Sequence, residues 1–152
     1  MRLTTYTDYA LRVLMHVALQ QGELVRVDDI ATGYRISRNH LTKVVHKLGK
    51  LGLLSTVQGR NGGMCLARPA DNISVGEVVR EFEPDFRLVE CFDAQDSNCR
   101  IEPACALKAA FGDALQLFLG HLDEVTVADL VQPGKKLAAL LALPVRVISA
   151  RV

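Results

Sequence analysis

Between residues 27 and 67, two helix-forming stretches are separated by only a few residues, and two short strands around a glycine-rich turn follow at once. So short a joint makes the two helices pack against each other at an angle, which is helix-turn-helix geometry. The first stretch, 27–34, has Asp28 and Asp29 near its start, where negative charge favours the helix dipole, and Gly33 near its end. The second opens at Ile36-Ser37, with Ser37 as N-cap. Leu41, Val44, Val45, Leu48 and Leu51 recur at helical spacing and form its buried face. The other face shows Asn39, Lys43, His46, Lys47 and Lys50, with His40 and Thr42 beside it. Gly52 suits the position just past the helix end. The strands, about 53–57 and 64–67, are joined by Gly59-Arg-Asn-Gly-Gly63, where Asn61-Gly62 is expected to supply the positive-φ turn.

A further helix precedes this unit, over residues 5–20. Thr5 is its expected N-cap, with Asp8 three residues on. Ala10, Val13, Leu14, Val17 and Ala18 share one face, while Asp8, Arg12, His16 and Gln20 step by four along the opposite stripe. Three helices followed by a hairpin describe a mainly α fold, a winged helix-turn-helix with a small β-hairpin wing. Charge agrees with a polyanionic partner at this end. Residues 1–70 carry ten basic against four acidic side chains, a balance of +6, whereas 71–130 carry four against thirteen, or −9. A solvated charged face is the bland reading of a basic helix. The short joint, the basic face and the Arg-bearing wing together favour double-stranded DNA. Lys43, Lys47 and Lys50 are then phosphate binders, and Asn39, His40 and Thr42 reach base edges, with Ser37 and Arg38 at the helix start. Arg60 in the wing reaches the minor groove or the backbone.

The rear of the chain reads as a helix capped by Ser74 over 75–82, stopped at Glu83-Pro84, then a long helix after the cysteines. Pro103 is expected in the first turn of that helix, with Cys105 inside the turn and the end near Leu122. Leu107, Phe111, Ala114, Phe118 and Leu122 line one face, and Leu115 and Leu119 add a second apolar edge. That is more apolar surface than one small domain needs, so the helix is expected to form a homodimer. A short helix over 126–131 precedes Gln132-Pro-Gly134. The expected organisation is a DNA-binding domain over 1–70, a thiol loop with dimerisation helix over 71–131, and a tail over 132–152 with no assigned role. No secretory signal is evident, and the longest apolar run, 137–143, is far too short to span a bilayer. The expected setting is cytoplasmic, without a membrane. No Ser/His/Asp set or phosphate loop suggests an enzyme.

Three of the four cysteines, Cys91, Cys99 and Cys105, fall within fifteen residues at C-x7-C-x5-C spacing, in a stretch without helical or strand periodicity. In a reducing compartment clustered thiols bind metal or do chemistry more often than they pair as disulfides. Three soft thiolates suit an iron–sulfur cluster, zinc or Cu(I). The spacing is wider than the usual zinc knuckle. Unrelated buried cysteines or a redox thiol pair remain alternatives at this point.

The opening Met-Arg-Leu-Thr-x-Tyr-Thr-Asp-Tyr-Ala-Leu-Arg, Ser-Arg-Asn-His-Leu at 37–41, Gly59-Arg-Asn-Gly-Gly63, Ser74-Val-Gly-Glu-Val78 and the late cysteines together resemble the Rrf-type regulators, over about residues 1–131. The resemblance is to the nitric-oxide-sensing repressors among them. It implies a homodimer that binds an inverted-repeat operator, with an iron–sulfur cluster held by Cys91, Cys99 and Cys105. The cluster implied is 4Fe–4S in preference to 2Fe–2S. In one branch of the family the fourth ligand is a histidine three residues after the last cysteine, where this chain has Lys108. In another it is the aspartate of the opening motif, donated by the second protomer, and Asp8 stands in that place. The residues alone favour Asp8 as a first-turn acid paired with Arg12, and the lack of a fourth loop cysteine or nearby histidine is what turns it back towards a ligand. An iron- or cluster-status regulator of the same family and a zinc-stapled DNA-binding protein are the competing functions.

Overall fold

Thr4, one residue earlier than expected, caps the first helix: its hydroxyl accepts the Thr7 N–H at 3.3 Å. The reason lies far along the chain. Glu83 reaches back to accept the Thr4 N–H at 2.8 Å and the Thr4 hydroxyl at 3.2 Å, and it also accepts the Thr7 hydroxyl. A carboxylate at the positive end of a helix, satisfying otherwise unpaired donors, fixes that end.

This computed structural model describes residues 2–20, 22–93 and 97–143. Its helices are α1 (Thr5–Leu19), α2 (Val27–Tyr34), α3 (Arg38–Lys50), α4 (Val75–Phe82), α5 (Ala106–Glu124), α6 (Val127–Leu130) and α7 (Gly134–Leu140). Strands β1 (Leu54–Val57) and β2 (Gly63–Leu66) form the wing, with three short 3-10 turns elsewhere. The fold is the expected winged helix-turn-helix followed by a long helix.

Two helix ends show how backbone chemistry sets the reading head. Arg35, not a glycine, takes the left-handed conformation (φ 54°) that ends α2 and turns the chain into α3. At the end of α3, Gly52 (φ 68°) allows Leu53 N–H to bond Leu48 C=O at 3.0 Å and its own N–H to bond Gly49 C=O at 3.1 Å. That pattern satisfies the last carbonyls of the helix and turns the chain into the wing. The wing pairs antiparallel from Leu54↔Leu66 to Val57↔Gly63. The expected Asn61-Gly62 turn is not what closes it. The positive φ belongs to Gly59 (112°), and the loop runs over the five residues 58–62. Gly62 is needed for another reason: a Cβ there would lie 2.3 Å from the Val57 carbonyl oxygen.

One apolar cluster joins α1, α2, α3 and the hairpin to Ile73, Val78, Phe82 and Val127. A second packs Val75 and Val79 of α4 against Leu115 and Leu119 of α5. Thus α4 is shared, one face on the reading head and the other on the long helix. Arg80 forms a two-pronged ion pair with Asp123 across the same joint.

His16, placed by its spacing on the polar stripe of α1, is fully buried. The helix is packed by α3, α4, α6 and β2 from several sides, so little of it is left for solvent. Tyr34 lies against the ring at 5.8 Å, and neither ring nitrogen finds a hydrogen-bond partner among the described residues. Burial therefore pushes the His16 pKa down, opposed only in part by the charge of Asp29. A histidine held neutral in the fold takes up its proton on unfolding. Stability from this group is present above about pH 6.5 and is lost as pH falls below it, by up to about 1.4 kcal/mol per unit. Denaturant unfolding of the parent between pH 7 and pH 5 should show this slope, and His16→Phe should flatten it. An equal slope in both proteins would place the acid sensitivity elsewhere.

The tail, which had no expected role or element, contains a helix. α7 turns back so that Gly134 lies beside Leu19 and the Leu141 carbonyl beside Gly33. Residues 144–152, and 94–96 of the cysteine segment, lie outside the described residues.

Candidate metal centre and nucleic-acid interface

α3 presents Arg38, Asn39, His40, Thr42, Lys43, His46, Lys47 and Lys50 at the surface, and Ser37 stands exposed at its start. These residues are not equivalent. Asn39, Lys43, His46 and Lys50 point outward along one stripe. Arg38 pairs with Asp28 of α2 at 3.1 Å, and the Thr42 hydroxyl donates to the Arg38 carbonyl at 2.9 Å. Ser37 is the N-cap by position, but its hydroxyl makes no capping bond. His40 turns towards α1, stacked on Tyr9 at 6.3 Å with Tyr6 tilted at 6.2 Å. Lys47 points to α4: its ammonium donates to the Glu81 carbonyl and sits 4.6 Å from the Phe82 ring centre. A cation at the carbonyl end of a helix is favourable in itself. His40 and Lys47 therefore join α3 to its neighbours, a role that needs knowledge of which helices lie alongside. In the wing, Arg60 is exposed, and its carbonyl accepts from Arg26 at 3.3 Å.

The cysteine segment leaves α4 at Glu83-Pro84 and passes through 3-10 turns at Glu90–Phe92 and Glu102–Ala104. Pro103 lies in the second of these turns and not in α5 as expected. Cys105 is the N-cap of α5, with an extended ψ of 105° that separates the turn from the helix. All four cysteines are free thiols. Cys91 and Cys105 line one open cleft of about 740 Å3, together with Glu102, Lys108, Gly112 and Asp113. Cys99 is one turn away, its carbonyl accepting the Glu102 N–H at 3.2 Å. Among the described residues no three Cys, His, Asp or Glu side chains are drawn together into a ready-made ligand set. Metal-free thiols have no attraction for one another, and such sets close on the metal.

The cleft carries charge of both signs, Glu102 and Asp113 against Lys108. It sits at the start of a 19-residue helix, whose first N–H groups and dipole favour negative charge, and no side chain caps that end. The Lys108 ammonium lines the wall, its pKa raised first by its bond to Glu102 and further by the nearby Cys91 and Cys105. Lys108 and Ser97 hold the Glu102 carboxyl below the usual carboxylate range. Three soft donors, two on one cleft and the third a turn away, fit the iron–sulfur cluster that the resemblance implies.

Residues 3–133 match a family described as Rrf2, iron-dependent transcriptional regulator. The chain belongs to the Rrf2 family. Among its relatives, the HTH-type transcriptional regulator NsrR of Shouchella clausii is 50% identical over 142 residues, covering 93% of this chain and 95% of that protein. NsrR of Bacillus subtilis is 46% identical over 144 residues, covering 94% and 99%. Of solved structures, IscR of T. potens superposes with a TM-score of 0.71 at 22% identity, over 97% of this chain and 94% of that one, a likeness of fold. As an Rrf2 protein the chain is a transcriptional regulator and not an enzyme, and no described helix is long and apolar enough to cross a membrane.

Within this Rrf2 fold Asp8 lies on the outer side of α1. It holds Arg12 by two contacts, Nε at 3.0 Å and the terminal nitrogen at 2.9 Å, and Arg12 in turn sits 5.7 Å from the Tyr34 ring centre. Cys65 stands in β2 opposite Ser55, in the wing and apart from the thiol cleft. Glu83, Tyr6 and Tyr9 join the candidate site only through contacts across the fold. The two tyrosines, three apart on α1, were the available signal, because that spacing puts them on one flank.

Proposed function

We propose that this Rrf2 protein is an operator-binding repressor whose grip on DNA depends on an iron–sulfur cluster held by Cys91, Cys99 and Cys105. Asp8 from a second protomer would complete the ligand set, and nitric oxide would be the signal. The observation that carries this reading is the placement of two free thiols on one cleft at the start of α5, the helix joined through α4 to the reading head. The cluster, 4Fe–4S in preference to 2Fe–2S, would supply iron open to attack by a small diatomic molecule where its ligand is a carboxylate and not a thiolate.

The chain's own residues give a route from thiols to DNA. A shift at Cys105 moves the start of α5. Leu115, Leu119 and the Arg80–Asp123 pair pass it to α4. Glu83 at the end of α4 grips Thr4 and Thr7 at the start of α1, one turn from Asp8. Tyr6 and Tyr9 of α1 touch His40 of α3. Asp8 released from a ligand role returns to Arg12. A change of a few kcal/mol along this route suffices, since about 1.4 kcal/mol is tenfold in affinity.

The exposed stripe Leu107, Ala110, Ala114, Leu117 and His121 on α5, at alternating three- and four-residue steps, supplies the homodimer face. Two copies then set two α3 helices in successive major grooves of an inverted repeat, about one helical turn apart. Lys43 and Lys50 bind phosphates there, Ser37, Arg38, Asn39 and Thr42 lie nearest the bases, and Arg60 of the wing meets the backbone or minor groove. Lys43→Ala should weaken binding to all sequences alike and lower the salt slope by about one unit. Lys47→Ala should change the slope less, because that ammonium is engaged with α4. Equal slopes for the parent and Lys43→Ala would remove Lys43 from the interface. The setting is the cytoplasm, where thiols stay reduced.

The test is direct. Protein purified without air should be brown, lose its colour on titration with nitric oxide, and lose operator retention in parallel. A colourless protein with one zinc per chain would replace the sensor with a zinc-stapled DNA-binding protein. The family description as iron-dependent favours one further reading, in which cluster occupancy is itself the signal. Operator release on iron limitation, with indifference to nitric oxide, would select it.

A further inference from the structure

Two carboxylates tie the cysteine-bearing segments to one another. Glu90, next to Cys91, accepts the backbone N–H of Asn98, next to Cys99, at 2.9 Å. Glu102 accepts the Ser97 hydroxyl at 2.7 Å through one oxygen and the Lys108 ammonium at 2.5 Å through the other. Ser97 also receives the Cys99 N–H at 3.5 Å, and Lys108 lies three residues beyond Cys105. Glu90 thus links the first thiol segment to the second, and Glu102 links the second to the third.

We propose that Glu90 and Glu102 are positioning residues of the thiol loop, holding its three segments in register so that Cys91, Cys99 and Cys105 can close on one metal centre. The inference rests on the reading above that these thiols hold metal. Two single 3-10 turns are no ladder to order the segment, so each loop between ligands must be closed at an entropic cost when metal binds. Bonds already made in the metal-free chain reduce that cost, as preorganisation does in any binding site. The Glu102 tie also brings no net negative charge towards the thiolates, because the Lys108 ammonium that offsets it lines the same cleft as Cys91 and Cys105. Outer partners of this kind govern how tightly ligands hold a metal even though they never touch it.

The test uses the full chain, kept metal-free and reduced, titrated with Cd2+ as a thiolate probe. Sulfur-to-cadmium absorption reports the number of thiolates, and competition with a chelator reports affinity. The parent should bind through three thiolates. Glu90→Ala and Glu102→Ala should each bind about tenfold or more weakly, with thermal unfolding of the metal-free protein unchanged. Glu90→Gln, which keeps an acceptor oxygen for Asn98, should bind nearly as well as the parent and serves as the folded control if an alanine variant fails. Equal affinity in the parent and both alanine variants overturns the positioning role and leaves the metal reading standing. A weakening that Glu90→Gln does not restore overturns positioning through that bond. A parent that gives no thiolate absorption overturns the metal reading, and this inference with it.

Discussion

Cys105→Ala should strip the protein of iron and lower its operator affinity, measured without air, to that of the iron-free parent. The coupling between two sites in one protein is commonly worth 5- to 150-fold in affinity, about 1–3 kcal/mol, and the upper part of that range is expected here. The site lies at the start of α5, so its loss removes the joint between the thiols and the helix that leads to DNA. The fold should survive. Cys105 is half-buried and, among the described residues, its side chain makes no capping bond, so alanine removes little packing and no cap. Cys65→Ala, a thiol in the wing, is the matched control and should keep both iron and affinity. Iron content by metal analysis and gel shifts on one operator fragment measure both effects. A Cys105→Ala protein that keeps its iron would remove this residue from the ligand set.

Leu117→Glu should turn the proposed dimer into a monomer and cut operator binding still further. Leu117 is 75% exposed in the protomer, yet it lies on the same stripe of α5 as Leu107, Ala110 and Ala114. A twofold interface uses each residue twice. Losing about 2 kcal/mol of leucine burial at each of two positions weakens the dimer by about a thousandfold, before the cost of burying two carboxylates is added. Sedimentation at micromolar protein should show the change in mass while circular dichroism stays that of the parent. An unaltered dimer would put the interface on another face of the chain.

Which parts of this molecule its sequence declares follows from the range of the interactions involved. The buried stripe of α3, the Gly52 stop and the Ser74 cap are settled by neighbours within one or two turns, and all are legible. Contacts made across the fold are not. Thr4 takes the cap from Thr5 because Glu83, 79 residues away, reaches it. His16 has the spacing of a surface residue but is surrounded on several sides by other elements. The same holds for α5. Spacing put Leu107 and Ala114 on one face with Phe118 and Leu122, but packing on α4 splits that face. Phe118 and Leu122 turn partly inwards and Leu107 and Ala114 stay outside. At the candidate centre the cysteines announced themselves by type and spacing, while Glu90, Glu102 and Lys108, ordinary charged residues in sequence, acquire meaning only from what they touch.

On the proposed function, metal chemistry at the thiols is felt at the DNA. One preparation, made and kept without air, should be divided, half of it treated with a chelator until free of iron, and both halves titrated against the same operator. Tight retention by the iron-loaded half and at least a tenfold loss in the stripped half is the expected result. Equal retention by both would leave a winged-helix regulator whose cysteines have no say in what it binds.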